Sequence, residues 1–123
     1  AYAHSDNHMQ VITASHLTKD DVAIGISHSG SSKDIVEALK IARKNGATTI
    51  SITNKGKSPI VKESNITLFT ASDETSYSIL GLNSRIAQLA IINSIYYYIV
   101  YHQTGHDSEA RSITEKALQS KKF

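Results

Sequence analysis

The sequence predicts an α/β domain of three layers, a parallel sheet with helices on both faces. Three observations lead there. Two short runs rich in β-branched residues, Val22 to Ser27 and Thr48 to Thr53, are apolar or small on both sides, as strands buried between helices are. The segment between them, Asp34 to Lys44, places Ile35, Ala38, Leu39 and Ala42 at helical spacing. A third apolar run, Ile66 to Thr70, follows another short helical segment, so strand and helix keep alternating.

Each element carries its own start or stop signal. Ser31 or Ser32 can cap the helix that begins at Asp34, and Asn45-Gly46 can end it. Pro59 suits the first turn of the short helix within Ser58 to Glu63, because a first-turn residue has no N–H to lose. From about Tyr77 to Tyr101 a long helix is apolar round most of its circumference, including Ile86, Leu89, Ala90, Ile95, Ile99 and Val100. Such a helix is either central to the core or shared with a partner subunit. Thr104-Gly-His-Asp107 breaks it, and Asp107 can cap a closing helix, Ser108 to Gln119, with Ile113 and Leu118 facing inward. At the other end, Ala1 to Ser5 could be a strand, and Asn7 to Leu17 a helix that leads into the loop Thr18 to Asp21.

Composition narrows the function classes. With 123 residues, 40% of them apolar, the chain is large enough for one core and too short for two. It contains no cysteine, which removes disulfides and thiolate metal sites and fits a reducing, cytoplasmic compartment. A net charge of +2 with scattered Lys and Arg gives no nucleic-acid footprint, so this chain by itself is not expected to hold DNA. The longest apolar stretch, Ile79 to Tyr101, is interrupted by Asn83, Arg85, Gln88 and Asn93, which makes a membrane span too costly. Ala1 to Gln10 lacks the apolar centre of a signal peptide.

The chemistry concentrates in Ser27-His-Ser-Gly-Ser-Ser32. This loop leaves the carboxyl end of the first predicted strand and opens a helix, which is where open parallel sheets bind ligands. A helix N-terminus there offers unpaired N–H groups and a positive dipole. The hydroxyls of Ser27, Ser29, Ser31 and Ser32, with backbone N–H groups exposed by a flexible Gly30, would supply many donors and no fixed charge. An anion, above all a phosphate, is the ligand that such a loop fits.

Three other spellings of this loop fail. A P-loop has the right spacing from Gly25 to Gly30, but Ser31 stands where its lysine must be. A nucleophile elbow fails because Gly25-Ile-Ser27-His-Ser29 lacks the last glycine, although His102 or His106 could be imagined as a base. The dinucleotide fingerprint of three spaced glycines is missing. A helix cap and a turn explain only two of the four serines.

The string Asp21-Val-Ala-Ile-Gly-Ile-Ser27-His-Ser29-Gly30-Ser-Ser32, then Ala38-Leu39, Ala42, Gly46-Ala47, Ile52-Thr53-Asn54 and Ser58-Pro59, resembles the phosphosugar-binding SIS (sugar isomerase) domain over Asp21 to about Ser94. Asn83 to Leu89 and the closing helix Ser108 to Leu118 resemble the C-terminal ligand-sensing domain of RpiR-type bacterial transcription regulators. The resemblance implies a flavodoxin-like sheet of five parallel strands that binds a sugar phosphate, commonly in a homodimer. It implies phosphate contacts at Ser27, Ser29 and Ser32, within a site that also includes His28, Gly30 and Ser31. It also implies that the family's first helix and strand, with a Gly-x-Gly-x-Ser loop, and the regulators' N-terminal helix-turn-helix lie outside this chain. DNA would then be bound only through that further domain.

The runner-up within the same fold is a sugar-phosphate isomerase or lyase, for which Glu74 is the only candidate acid or base. A third reading is a phosphate-binding scaffold with no regulatory output. A carboxylate before a helix is more often a cap, and no second catalytic partner is visible, so sensing without chemistry is expected. His4 with His8 and His102 with His106 have metal-binding spacing but neither carries the glutamate of a zinc-protease helix, and no metal or cofactor is expected. Lys55 and Lys57 could add charge beside an anion, though surface lysines usually serve solubility. Tyr96 to Tyr98 and Tyr101 read as packing residues, because successive side chains point different ways on a helix.

Overall fold

The computed structural model describes residues 1–72 and 82–102, together with residues 112, 113, 116, 118 and 119. The chain divides into two compact units, residues 1–88 and residues 89–123. In the first unit the order is α1 (Asn7–His16), β1 (Val22–Ile26), α2 (Lys33–Lys44), β2 (Thr48–Thr53), α3 (Pro59–Lys62) and β3 (Ile66–Phe69). The helix α4 (Leu82–His102) starts in the first unit and runs on into the second. The strands form one sheet in the order β1-β2-β3, all parallel. The α/β class and the three strand positions are as the sequence predicts.

Register sorts the two faces of the sheet. Ile24 pairs with Ile50 and Ile50 with Ile66, while Ile26 pairs with Ile52 and Ile52 with Leu68, so one face is a patch of aliphatic side chains. Ile52 at its centre is fully buried. Removing such a side chain from water stabilises the fold by about 1.5–3 kcal/mol. The other face carries small and hydroxyl residues: Gly25 pairs with Ser51, and Ser51 with Thr67. Here α2 lies close to the sheet, since a Cβ added to Gly25 would sit 2.6 Å from Leu39 Cδ1 and 3.1 Å from Ile35 Cγ2.

Three fully buried hydroxyl residues, Thr49, Ser51 and Thr53, line this face of β2. Each is hydrogen-bonded, as buried polar groups must be. Thr49 Oγ1 donates to the Glu63 carbonyl, Ser51 Oγ to Thr67 Oγ1, and Thr53 Oγ1 to the His28 carbonyl. Asn65, between α3 and β3, accepts the Thr49 N–H on its side-chain oxygen and returns its own N–H to the Thr49 carbonyl. This exchange sets the start of β3.

The ends of the helices show why they stop. Asp6 caps α1 by accepting the Met9 N–H. At the end of α2, Gly46 adopts φ +91, its N–H reaches the Arg43 carbonyl, and the Ala47 N–H reaches the Ala42 carbonyl. That is a Schellman motif, as Asn45-Gly46 predicts. The Asn45 amide also donates to the carbonyls of Ala14 and Ser15, so one side chain closes the ends of α1 and α2 together. Between these helices the contact is made by small side chains, with Ala14, Ala42 and Ala47 buried and Leu17, Ala38 and Ile41 packed against them.

Two expectations need correction. Residues 1–5 form no strand; the His4 carbonyl accepts from the Gln10 side chain and the His4 ring lies 3.0 Å from Thr13 Oγ1, which ties the segment to α1. Among the described side chains of α4 only Ser84 is buried, and Ile86, Leu89 and Ile99 are exposed. In the second unit, Ile113 and Leu118 are exposed rather than inward-facing. An apolar stripe identifies a face fit for burial without identifying what buries it. Residues 77–81, where the long helix is expected to begin, and Asp107, the expected cap of the closing helix, lie outside the described residues.

Two predictions follow from this packing. Gly25→Ala places a methyl group against Leu39 and is expected to destabilise the domain by about 1–3 kcal/mol in denaturant unfolding, the usual cost of overpacking. The second concerns the turn Thr18 to Asp21, where the Thr18 N–H and hydroxyl both donate to the Asp21 carboxylate at 2.8 and 2.9 Å. These bonds, the backbone one first, hold the Asp21 carboxyl below its ordinary value of 3.8. A depressed folded-state value contributes stability above the unfolded value and loses it as the pH falls through the folded one. Asp21→Asn is therefore expected to melt below the wild type at neutral pH, with the gap closing below about pH 4.

Candidate functional site

The serine loop forms because β1 ends against β2 and α2 begins seven residues later. The Ser27 N–H still donates to the Ile52 carbonyl, continuing the ladder one residue past β1. Ser27 is 6% exposed, and its Oγ lies 3.0 Å from Ser32 Oγ. Ser32 is the residue before α2, with extended backbone at φ −64 and ψ 109, yet its hydroxyl makes no capping bond. The sequence predicts a cap there; instead the hydroxyl turns to Ser27, which leaves the first-turn N–H groups of α2 without a side-chain cap from this residue.

The middle of the loop is held from beneath. The His28 carbonyl accepts both the Asn54 N–H at 3.0 Å and the Thr53 hydroxyl at 3.2 Å, and the residue is half-buried. Gly30 is buried with φ +65. A Cβ there would lie 2.5 Å from Ser58 Cβ and 2.9 Å from Thr53 Oγ1. Its N–H donates to the Ser27 carbonyl and its carbonyl accepts the Ile60 N–H at the start of α3. Gly30 is thus not the flexible residue that the sequence suggests, and its own N–H is used within the loop. The glycine is pinned, and its role is to let the chain pass close over Ser58 and Thr53.

Ser29 and Ser31 stand at the exposed crest. Ser29 Oγ accepts the Ser31 N–H at 3.2 Å, and Ser31 Oγ donates to the Ser29 carbonyl at 3.3 Å. The loop thus brings Ser27 and Ser32 together at its base and Ser29 and Ser31 together at its rim. Its hydroxyls are neutral, and the nearby Asp34 carboxylate accepts from the Asn7 amide at 2.7 Å. Such a set can surround an anion with donors.

The other candidates stand apart from this set. Lys55 and Lys57 are exposed, and Lys55 is used through its carbonyl, which accepts from Ser58 Oγ at 2.7 Å. The His102 ring lies 2.9 Å from the Tyr98 carbonyl and stacks on the Tyr98 ring. Glu74 and His106 lie outside the described residues. Sequence reasoning missed the supporting groups Thr53, Asn54, Ser58 and Ile60. The Ile52-Thr53-Asn54 and Ser58-Pro59 strings were visible, but nothing local shows that they lie under a loop more than twenty residues earlier in the chain.

Residues 2–97 match the family described as the SIS domain. This chain belongs to that family. The SIS domain is 45% identical over 123 residues to an uncharacterized HTH-type transcriptional regulator of Caldanaerobacter subterraneus subsp. tengcongensis, covering 98% of this chain and 43% of the relative. A second HTH-type transcriptional regulator, from Haemophilus influenzae, is 34% identical over 116 residues, which are 94% of this chain and 39% of that protein. The chain thus spans about two fifths of these relatives. Among solved structures it is similar to the Vibrio vulnificus NanR protein complexed with ManNAc-6P, with TM-score 0.83 and 22% identity over 97% of this chain and 45% of that one. It is also similar to the sugar isomerase domain of an RpiR transcription factor from Sphaerobacter thermophilus, with TM-score 0.72 and 21% identity over 88% of this chain and 58% of that one. At these identities the two structures bear out the fold.

The pinning of Gly30 gives the SIS domain a sharp test. Gly30→Ala is expected to cost about 2 kcal/mol or more in unfolding free energy, from left-handed backbone strain and the collision with Ser58. Adding Ser58→Ala should not restore it, because the Ser58 Cβ is itself in the way.

Proposed function

We propose that this SIS domain is the sugar-phosphate-sensing effector domain of a bacterial transcription regulator. The observation that carries the reading is the loop geometry: paired hydroxyls of Ser27 and Ser32 at the start of α2, with Ser29 and Ser31 above them. Ser27, Ser29 and Ser32 hold the phosphate, helped by the first-turn N–H groups of α2. His28, Gly30 and Ser31 shape the loop around it.

The regulatory output is supported by the relatives, both HTH-type transcriptional regulators more than twice as long as this chain. DNA is contacted through a helix-turn-helix domain N-terminal to this one. NanR is a solved structure of similar fold complexed with a sugar phosphate, which supports the ligand class. The protein acts in the cytoplasm as a homodimer, with the exposed apolar residues of α4, among them Ile86, Leu89 and Ile92, as the surface available for pairing. Among the described residues no helix is long and apolar enough to cross a membrane.

Sensing and catalysis make different demands. A phosphate held by hydrogen bonds is bound and not transformed, since turnover needs an acid and a base positioned at the reacting carbon. Ser29→Ala in the full-length protein is expected to weaken sugar-phosphate binding by about ten- to a hundred-fold, the value of one hydrogen bond to a charged group. Operator binding without ligand should be retained. Steady conversion of a hexose or pentose phosphate, lost on Glu74→Gln, would assign the protein to the isomerases instead.

A further inference from the structure

Among the described residues, the buried hydroxyls that lack a hydrogen-bond partner are those of Thr70 and Ser72. Thr70 directly follows β3 and is 5% exposed, yet its Oγ1 is buried without a hydrogen-bond partner. Two residues on, Ser72 Oγ is also buried without one. Both sit at the carboxyl end of the sheet. The Thr70 N–H donates to the Thr53 carbonyl at 3.0 Å, and the Asn54 amide donates to the Ser72 carbonyl at 2.9 Å. Thr53 and Asn54 are the residues that hold the His28 carbonyl under the serine loop.

The unpartnered hydroxyls therefore stand at the same end of the sheet as the loop, across β2 from it, and their backbone is fixed to the same two residues. A buried hydroxyl with no partner is costly, and a fold that satisfies Thr49, Ser51 and Thr53 on the adjacent strand has the means to avoid it. A threonine keeps such a hydroxyl where something brought from outside completes it. Neutral hydroxyls suit a neutral, hydroxyl-bearing group better than a second phosphate, because each can both donate and accept.

We infer that Thr70 and Ser72 form the sugar-reading end of the site, accepting from and donating to hydroxyl or amide groups of a ligand whose phosphate the serine loop holds. The inference rests on the phosphosugar reading above. It separates two jobs: the loop at the end of β1 supplies affinity for the anion, and the end of β3 supplies discrimination among sugars. Discrimination through buried hydrogen-bonding groups is steep, because a ligand lacking the matching group leaves them unpaired.

The test uses the full-length protein in calorimetric titrations with hexose, pentose and amino-sugar phosphates, and with inorganic phosphate as the probe of the anion end alone. Thr70→Val keeps the branched shape and removes the hydroxyl. It is expected to weaken the tightest sugar phosphate by about ten-fold or more while changing inorganic phosphate by less than about two-fold. Thr70→Ser should retain most of the sugar affinity, and Ser29→Ala should weaken both probes. The ligand-free melting temperature of Thr70→Val should not fall, since no protein partner is lost. Unchanged sugar-phosphate affinity in Thr70→Val, equal weakening of both probes, or a lower ligand-free melting temperature would overturn the inference. A wild-type protein that binds none of these probes would overturn the phosphosugar reading itself, and with it this one.

Discussion

The passage of Gly30 over Ser58 and Thr53 is the constraint on which the end of the sheet depends. At this point the loop after β1 meets the end of β2 and the start of α3, more than twenty residues later in the chain, with no space between them. The Ile60 N–H closes the contact from the α3 side and the Asn54 N–H from the β2 side, both onto carbonyls of the loop. Because the backbone is held at both carbonyls, the serine side chains project from a fixed frame. A preorganised frame matters for a neutral site, since ordering a loop on binding would consume much of what a few hydrogen bonds return.

Most of this frame was legible in the sequence where a single residue decides the local geometry. Gly46 announces the end of α2, Pro59 the start of α3, and the β-branched runs the three strands, because each signal acts within a few residues. What was not legible depended on partners distant in the chain. Ser32 reads as a helix cap, and only its neighbour Ser27 explains why the hydroxyl turns away from that role. Gly30 reads as a flexible residue that exposes the N–H groups of the loop, and only Ser58 shows that it is a close-packing position. Residues 1–5 read as a strand by composition, while contacts to Gln10 and Thr13 hold them against α1.

The two faces of the sheet illustrate the same division. Alternation along β2 separates Ile50 and Ile52 from Thr49, Ser51 and Thr53, so the sequence shows that the faces differ. It does not show that the hydroxyl face is the drier contact with a helix. That follows from Gly25, whose missing side chain brings Leu39 down onto the sheet, so that Ser51 must find its partner sideways on β3 and Thr49 in the chain after α3. The interior is thus built from short polar side chains whose bonds run along the sheet, leaving the carboxyl end of each strand as the place where such bonding runs out.

A site at that end inherits the chemistry of the interior. The proposed phosphate site has hydroxyls, backbone N–H groups and a helix dipole, and no lysine or arginine built into its loop. Such donors bind an anion less tightly than an ion pair and a bidentate guanidinium would, since a full positive charge strengthens each hydrogen bond. For an enzyme that must hold a transition state this would be a weakness. For a sensor it is an advantage: occupancy has to follow the free ligand up and down, and a site that binds too tightly stays filled when the signal falls. Under the proposed reading, a neutral, preorganised cradle would select the phosphate by geometry and let the ligand leave as its concentration falls.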